Sequence, residues 1–212
     1  MPRDTDLVLI RHAPAQTGGR LAGRRDVPAT LPAAPALAAL RVAIGRPDRV
    51  VTSPALRCRQ TAQALFGDAA FDMDARLQEQ DFGAWEGADP TTLPDPGPLS
   101  RADLARLRPP GGESFGDLHA RTVPALESLC TGGRVVVVAH AGTVRAALSL
   151  ALGIEDAGLA FEIAPLSLTH LRGFGNGQWA IATVNHVVAP QAAETPPTAT
   201  ASSAISSASA HR

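Results

Sequence analysis

The chain has 212 residues, 45% of them hydrophobic, a length and apolar content suited to one α/β domain with a packed core. A net charge of −1 argues against nucleic-acid binding through bulk electrostatics, and all 19 basic residues are arginine, which reads as a compositional bias rather than an anion-binding surface. Two cysteines, Cys58 and Cys130, make neither a disulfide framework nor a four-ligand zinc site, no apolar run reaches the roughly 20 residues of a membrane span, and the N-terminus carries no secretory pattern, so a cytoplasmic setting without membrane partners is expected.

Short apolar runs alternate with helical stretches, the pattern of a three-layer α/β/α sandwich around a mainly parallel sheet. Asp6 to Ile10 reads as a buried strand ending at Arg11-His12, and residues 13–32 as a long loop. Ala34 to Ile44 is predicted helical, with Leu37, Leu40, Ala43 and Ile44 on its apolar face. A second strand, Arg49 to Thr52, runs into Ser53-Pro54 and a helix from Ala55 to Phe66. Residues 88–112, rich in Pro and Asp, read as an insertion over one end of the sheet, a partial lid with a short helix at 101–107. A long helix follows, with Phe115, Leu118, Thr122, Ala125 and Leu129 on one face. Val135 to Ala139 is the strongest buried strand; it leads to His140-Ala141-Gly142 and a helix to Leu152. Leu166–Leu171 and Trp179–Val184, joined by Gly175-Asn176-Gly177, form a hairpin, which closes a domain of residues 1–188. From 189 to 212 Ala, Ser, Thr and Pro dominate, and disorder is expected.

Three strands end directly in chemistry: Leu9-Ile10-Arg11-His12, Thr52-Ser53-Pro54-Ala55-Leu56-Arg57 and Val138-Ala139-His140. In open α/β sheets ligands bind in the crevice beyond the carboxyl ends of the strands, so Arg11, His12, Arg57 and His140 are expected to converge. The helix starting after His140 aims backbone N–H groups and its positive dipole end at the same place. Two guanidinium groups, two imidazoles and a helix N-terminus suit a tetrahedral dianion such as phosphate, and they disfavour a divalent cation by repulsion. A neutral imidazole among cations keeps a ring nitrogen free to attack phosphorus. A carboxylic acid is then needed to protonate the departing oxygen, and Glu79 is the expected one, with Glu86 as its competitor.

Leu-Ile-Arg-His at 9–12, Thr-Ser-Pro-Ala-Leu-Arg-Cys-Arg-Gln-Thr-Ala at 52–62, Leu-Gln-Glu-Gln-Asp-Phe-Gly-Ala-Trp-Glu-Gly at 77–87, Gly-Gly-Glu-Ser at 111–114 and Val-Ala-His-Ala-Gly-Thr-Val-Arg at 138–145 occur in order. Together they resemble the motif set of the histidine phosphatase superfamily, in its phosphoglycerate mutase-like branch. The resemblance runs from about Leu7 to His186. It implies that His12 is the phosphorylated nucleophile, Arg11 and Arg57 phosphate clamps, Glu79 the proton donor and His140 the second histidine of the phosphate pocket. It further implies a phosphate contact from Gly23, within Gly23-Arg24-Arg25-Asp26-Val27-Pro28, where Gly23 brings its N–H to phosphate; Ala141, at the start of the helix after His140, and Arg24 are expected to bind phosphate beside it.

This chain departs from the family at Ala13, Pro14 and Gly18, where Gly, Glu and Asn are frequent. Arg-His-Ala-Pro followed by Gly-Arg-x-x-Gly-Arg looks closer to the α-ribazole phosphatase-like members than to glycolytic mutases. The reaction implied is hydrolysis of a small phosphomonoester through a phosphohistidine, without cofactor or metal, by a monomer or homodimer, with α-ribazole 5′-phosphate as the leading substrate. A phosphoglycerate mutase-type transferase, a protein phosphohistidine phosphatase and an inactive phosphate-binding relative are the alternatives. His119 and His170 are expected at the surface or core edge, His186 in structural packing, and Cys58 as a small buried filler. Arg20, Arg24 and Arg25 are expected to be solvated loop charges with one substrate contact among them.

Overall fold

A computed structural model describes residues 4–67 and 70–189. Apart from residue 189, the Ala/Ser/Thr/Pro-rich segment lies outside them. The elements in chain order are β1 (Thr5–Arg11), α1 (Ala34–Ile44), β2 (Arg49–Thr52), α2 (Leu56–Phe66), β3 (Asp72–Met73), α3 (Arg101–Arg106), α4 (Phe115–Ser128), β4 (Gly133–Ala139), α5 (Ala141–Leu152), β5 (Leu168–Gly173) and β6 (Trp179–His186). They form one six-stranded sheet in the order β3-β2-β4-β1-β5-β6. β3, β2, β4 and β1 are mutually parallel, while β5 runs antiparallel to β1 and β6 antiparallel to β5.

The alternation of side chains along a strand builds two cores, one on each face of the sheet. Leu7, Leu9, Val135 and Val137 point to one face and pack with Leu126 and Leu148 of α4 and α5. Val8, Ile10, Val136 and Val138 point to the other and pack with Leu40, Ile44, Cys58 and Leu65 of α1 and α2. Each central strand is buried on both sides, which explains its unbroken apolar run. In α1 the expected apolar stripe narrows: Leu40 and Ile44 are buried and Leu37 packs partly, but Ala43 is exposed, because the helix meets the sheet through one edge only.

The expected helix in the insertion is α3; its Ala105 packs with Phe115 and Leu118 of α4 and Ala146 of α5. Beyond it, the Pro110 carbonyl accepts from Ala84 N–H at 2.9 Å, tying the end of the insertion to the turn that follows Glu79. α4 begins with a capping box in which Ser114 and Asp117 satisfy each other's backbone N–H groups. β5 and β6 form the expected hairpin. His186 ends β6 exposed to solvent rather than packed, since the last edge strand has no layer covering that end. Among the described residues no helix is long and apolar enough to cross a membrane.

Candidate active site

Because β4 lies between β2 and β1, the carboxyl ends of these three strands sit side by side. The His12 N–H donates to the Ala139 carbonyl at 2.9 Å and the Ser53 N–H to the Val138 carbonyl at 3.0 Å, so the residues after the three strands share one wall. His12, Arg57 and His140 are thereby brought together as expected, and all three are buried. The His12 and His140 rings meet edge to face, with centroids 5.2 Å apart.

His12 Nδ1 lies 2.7 Å from the Ala13 carbonyl oxygen, a partner that can only accept. Nδ1 therefore carries the proton and Nε2 carries the lone pair. Arg57 Nε donates to that Nε2 at 3.2 Å. Burial is the main reason the His12 imidazole is held neutral, with its pKa pushed down to about 3; the Arg57 and Arg11 cations add to this, against the Ala13 carbonyl, which favours the charged form. Ala13, in place of the family's usual Gly, has no positive φ and is fully buried, its own N–H held by Thr61 Oγ1 at 3.0 Å. The departure therefore costs the backbone nothing.

Arg57 is held by a ring of acceptors. Nη1 donates to the Arg25 carbonyl at 3.0 Å, and Nη2 donates to the carbonyls of Ala22 at 3.2 Å and Gly23 at 2.8 Å and reaches His140 Nδ1 at 3.2 Å. With Nδ1 accepting from Arg57, His140 Nε2 donates to Ser53 Oγ at 2.8 Å. Burial, followed by Arg57 and His12, holds the His140 pKa well below the usual imidazole value. Cys58 is buried as expected, but its sulfur also packs 3.5 Å from His140 Nε2, and burial raises the thiol pKa. It is an inert wall of the site rather than a nucleophile.

Arg11 ends β1 and donates through Nη1 to the Ile163 carbonyl at 2.5 Å, while its Nε is buried without a hydrogen-bond partner. Burial lowers its pKa, with Glu79 opposing and the Arg145 and Arg57 cations reinforcing the shift. A half-buried guanidinium with an unpaired N–H is suited to receive an anion's oxygen.

Glu79 rests on the N-terminus of α5. Its Oε1 accepts from Gly142 N–H at 3.2 Å and from Gln80 N–H at 3.1 Å. Gly142 is required there by close approach: a Cβ would overlap the Glu79 carboxylate and Leu118. The helix N-terminus after His140 is therefore occupied by Glu79, and Ala141 stands at its first position. Arg121 holds the acid's own segment, donating to the carbonyls of Arg76 and Gln78 at 2.8 Å and of Glu79 at 2.9 Å, and pairing with Glu113 Oε2 at 2.8 Å.

Glu86, the competitor for the acid role, is committed elsewhere. It accepts from four backbone N–H groups, Gly23 at 3.2 Å, Arg24 at 2.7 Å, Arg25 at 3.3 Å and Phe82 at 3.1 Å. The Gly23 N–H, expected to face phosphate, thus faces Glu86, because the loop turns its carbonyls toward Arg57 and its N–H groups away. Of the three loop arginines, Arg20 and Arg25 are exposed, while Arg24 is half-buried and bonded to Gln78 and Glu113. A cavity of about 150 Å³ opens beside Glu79, lined also by Gly23, Arg24, Asp26 and Gln78. A larger one of about 550 Å³ lies near the opposite end of β2, between Arg41, Asp48, Arg49 and Phe66; none of the five motif residues lines it. His170 of β5 pairs across the sheet with Asp6 of β1 at 3.3 Å, and His119 is tilted against Phe115; both are half-buried and lie outside the site, at the core edge as expected.

Ser53, Thr61, Arg121 and the Ile163 carbonyl were not legible as site groups. Only Ser53 carried a signal, a hydroxyl placed immediately after β2. Among the described residues no group of three or more His, Cys, Asp or Glu is placed to hold a metal ion.

The model of the histidine phosphatase superfamily (branch 1) matches residues 7–187. A glucosyl-3-phosphoglycerate phosphatase of Mycolicibacterium vanbaalenii is 34% identical over 193 residues, covering 82% of this chain and 81% of its own. A 2,3-bisphosphoglycerate-dependent phosphoglycerate mutase of Rhizobium etli is 31% identical, covering 70% of this chain and 79% of its own. Among solved structures, a mycobacterial glucosyl-3-phosphoglycerate phosphatase superposes with a TM-score of 0.74 at 27% identity, covering 87% of this chain and 100% of its own. A putative α-ribazole-5′-phosphate phosphatase from Escherichia coli gives a TM-score of 0.72 at 19% identity, covering 86% of this chain and 98% of its own, a likeness of fold.

Proposed function

Since the chain belongs to the histidine phosphatase superfamily, branch 1, and is a phosphatase of that fold, we propose that it hydrolyses a small phosphomonoester in two in-line steps through a phosphohistidine at His12. The observation that carries this reading is the tautomer of His12: Nδ1–H is spent on the Ala13 carbonyl, which leaves the neutral Nε2 lone pair for attack.

In the first step Nε2 attacks phosphorus, the P–O ester bond breaks, and the departing oxygen takes a proton from Glu79. Gly142 N–H is shared between the two carboxylate oxygens, at 3.2 Å from Oε1 and 3.4 Å from Oε2, and Oε1 alone also accepts from Gln80 N–H, so Oε2, the less engaged oxygen, is assigned this proton. Substrate phosphate exchanges the Arg57–His12 hydrogen bond for a guanidinium–phosphate bond and takes up the unpaired Nε–H of Arg11. In the second step the Glu79 carboxylate accepts a proton from water, the water oxygen bonds to phosphorus, and the P–N bond breaks to restore the lone pair. The fixed cations stabilise charge on the equatorial oxygens in both steps, and these side chains supply the charge neutralisation without a metal.

For the substrate class the support is the cavity beside Glu79, whose polar lining of Arg24, held by Gln78 and Glu113, together with Asp26 and Gln78, offers hydrogen-bonding groups to the portion beyond the phosphate. That lining suits a polar metabolite bearing a carboxylate or several hydroxyls, and a phosphorylated sugar acid, the class acted on by the 34%-identical relative, fits it better than an α-ribazole phosphate. Residues 88–112 act as the partial lid over the turn that follows Glu79. The test is a screen of phosphomonoesters in EDTA, including glucosyl-3-phosphoglycerate, α-ribazole 5′-phosphate, 3-phosphoglycerate and p-nitrophenyl phosphate. Release of inorganic phosphate, fastest from the sugar acid, is expected. No turnover of any ester would contradict the reading, and transfer to a second hydroxyl without phosphate release would mark a mutase.

A further inference from the structure

We infer that Glu86 is a positioning residue of the reaction, setting the Arg57 guanidinium against His12 and His140 through the peptide units of residues 22–25. This rests on the reading of Arg57 as a phosphate clamp. The carbonyls of Ala22, Gly23 and Arg25 accept from Arg57, while the N–H groups of Gly23, Arg24 and Arg25 donate to Glu86. The Ala22 carbonyl and the Gly23 N–H belong to one peptide unit, and the Gly23 carbonyl and the Arg24 N–H to the next. Two peptide planes therefore lie between a cation and an anion, each with its oxygen on the guanidinium and its hydrogen on the carboxylate. Chains of this kind polarise along their length, so the anion at one end strengthens the carbonyls that hold the cation at the other.

Only a carboxylate satisfies this arrangement. Oε1 takes Arg24 and Phe82 N–H, and Oε2 takes Gly23 and Arg25 N–H. An amide would present an NH2 to two of these donors, whichever way it turned. The close approach also needs Gly23, since a Cβ there would overlap Glu86 and the Gln80 carbonyl. The loop is tied a second time to the helix that carries Arg57, through Asp26 Oδ1, which accepts from Leu56 N–H at 2.6 Å. Glu86 therefore acts on the orientation of Arg57 and not on the leaving group.

The experiment is a double-mutant cycle of Glu86→Gln and Arg57→Ala, read as kcat/KM on p-nitrophenyl phosphate and on an alkyl phosphate. In the wild-type background Glu86→Gln is expected to lower kcat/KM by roughly tenfold to a hundredfold, by the same factor on both esters. In the Arg57→Ala background it is expected to cost less than about twofold, because the group it positions is gone. A purely structural role would cost the same in both backgrounds, and that result would overturn the inference, as would a loss confined to the alkyl ester. If Glu86→Gln does not fold, Glu86→Asp, which keeps the charge and withdraws it by one methylene, runs the same cycle. A wild-type protein with no phosphatase activity would count against the proposed function instead.

Discussion

Arg57 Nε donates to His12 Nε2 across 3.2 Å, so the cation proposed to clamp phosphate stands on the lone pair of the proposed nucleophile. The bond orients an imidazole that burial, chiefly, keeps neutral, and an anion entering the site would replace it. Arg57→Ala should therefore impair both phosphate binding and attack, lowering kcat/KM by about a thousandfold or more, consistent with removal of a main electrostatic stabiliser. Arg57→Lys should recover only a small part, because a lysine cannot fork between His12, His140 and the loop carbonyls. Near-full activity of Arg57→Lys would show that a point charge suffices.

The buried imidazoles make a prediction about pH and stability. His12 is held down to about 3, against an ordinary value of 6.5, and His140 is also held well below it. Below pH 6.5 the unfolded chain takes up protons that the folded protein refuses, so stability is full above that pH and is lost as pH falls toward the folded pKa values. Urea denaturation at pH about 7.5 and about 5.5, where most of the carboxylate titration is still to come, should give a lower unfolding free energy at the acid pH. His140→Gln should flatten that slope. Equal stability at the two pH values would contradict neutral burial.

Glu79 and Gly142 are tested together by one methyl group. An alanine near the start of a helix ordinarily stabilises it by up to about 1 kcal/mol relative to glycine. At Gly142 the new Cβ would overlap the Glu79 carboxylate and Leu118, so Gly142→Ala should instead destabilise by about 1–3 kcal/mol and reduce activity by displacing the acid. A more stable, fully active Gly142→Ala protein would show that Glu79 does not rest on α5.

The acid role of Glu79 predicts a leaving-group effect. An alkoxide needs a proton in the transition state, whereas p-nitrophenolate needs far less help. Glu79→Gln should therefore cost roughly tenfold to a hundredfold more on alkyl phosphates than on p-nitrophenyl phosphate. The proton-abstraction step leaves some loss on both. If Glu86→Gln showed that dependence and Glu79→Gln did not, the assignments would be exchanged.

Much of this architecture was legible because the sequence states it locally. The run Val135–Ala139, short and dominated by β-branched valines, reads as a strand buried on both faces, and the 3.6-residue spacing of Phe115, Leu118, Thr122 and Ala125 reads as a helix face. His12 and His140 were legible because a polar ring follows such a strand directly. The remainder depends on which backbone groups the fold brings opposite one another. The Ile163 carbonyl reaches Arg11 across 152 positions of chain, and Arg121 reaches three carbonyls of 76–79 from the side of α4. Backbone acceptors have no sequence signature, so neither contact could be anticipated. Glu86 was visible as an acid beside Trp85, but its use depends on four N–H groups converging on it. His186 and Ala43 are exposed against expectation for a related reason: pattern gives the face of an element, not whether another layer covers it.

A phosphoryl group carried on His12 Nε2 can be trapped during turnover. The wild-type protein, quenched in denaturant during turnover of a labelled phosphomonoester, should retain phosphate in a bond that acid breaks and base leaves intact, located to the peptide containing His12. His12→Ala should fold, retain no label and lose at least about a thousandfold in turnover. Turnover by His12→Ala at the wild-type rate, or label that survives acid, would contradict it.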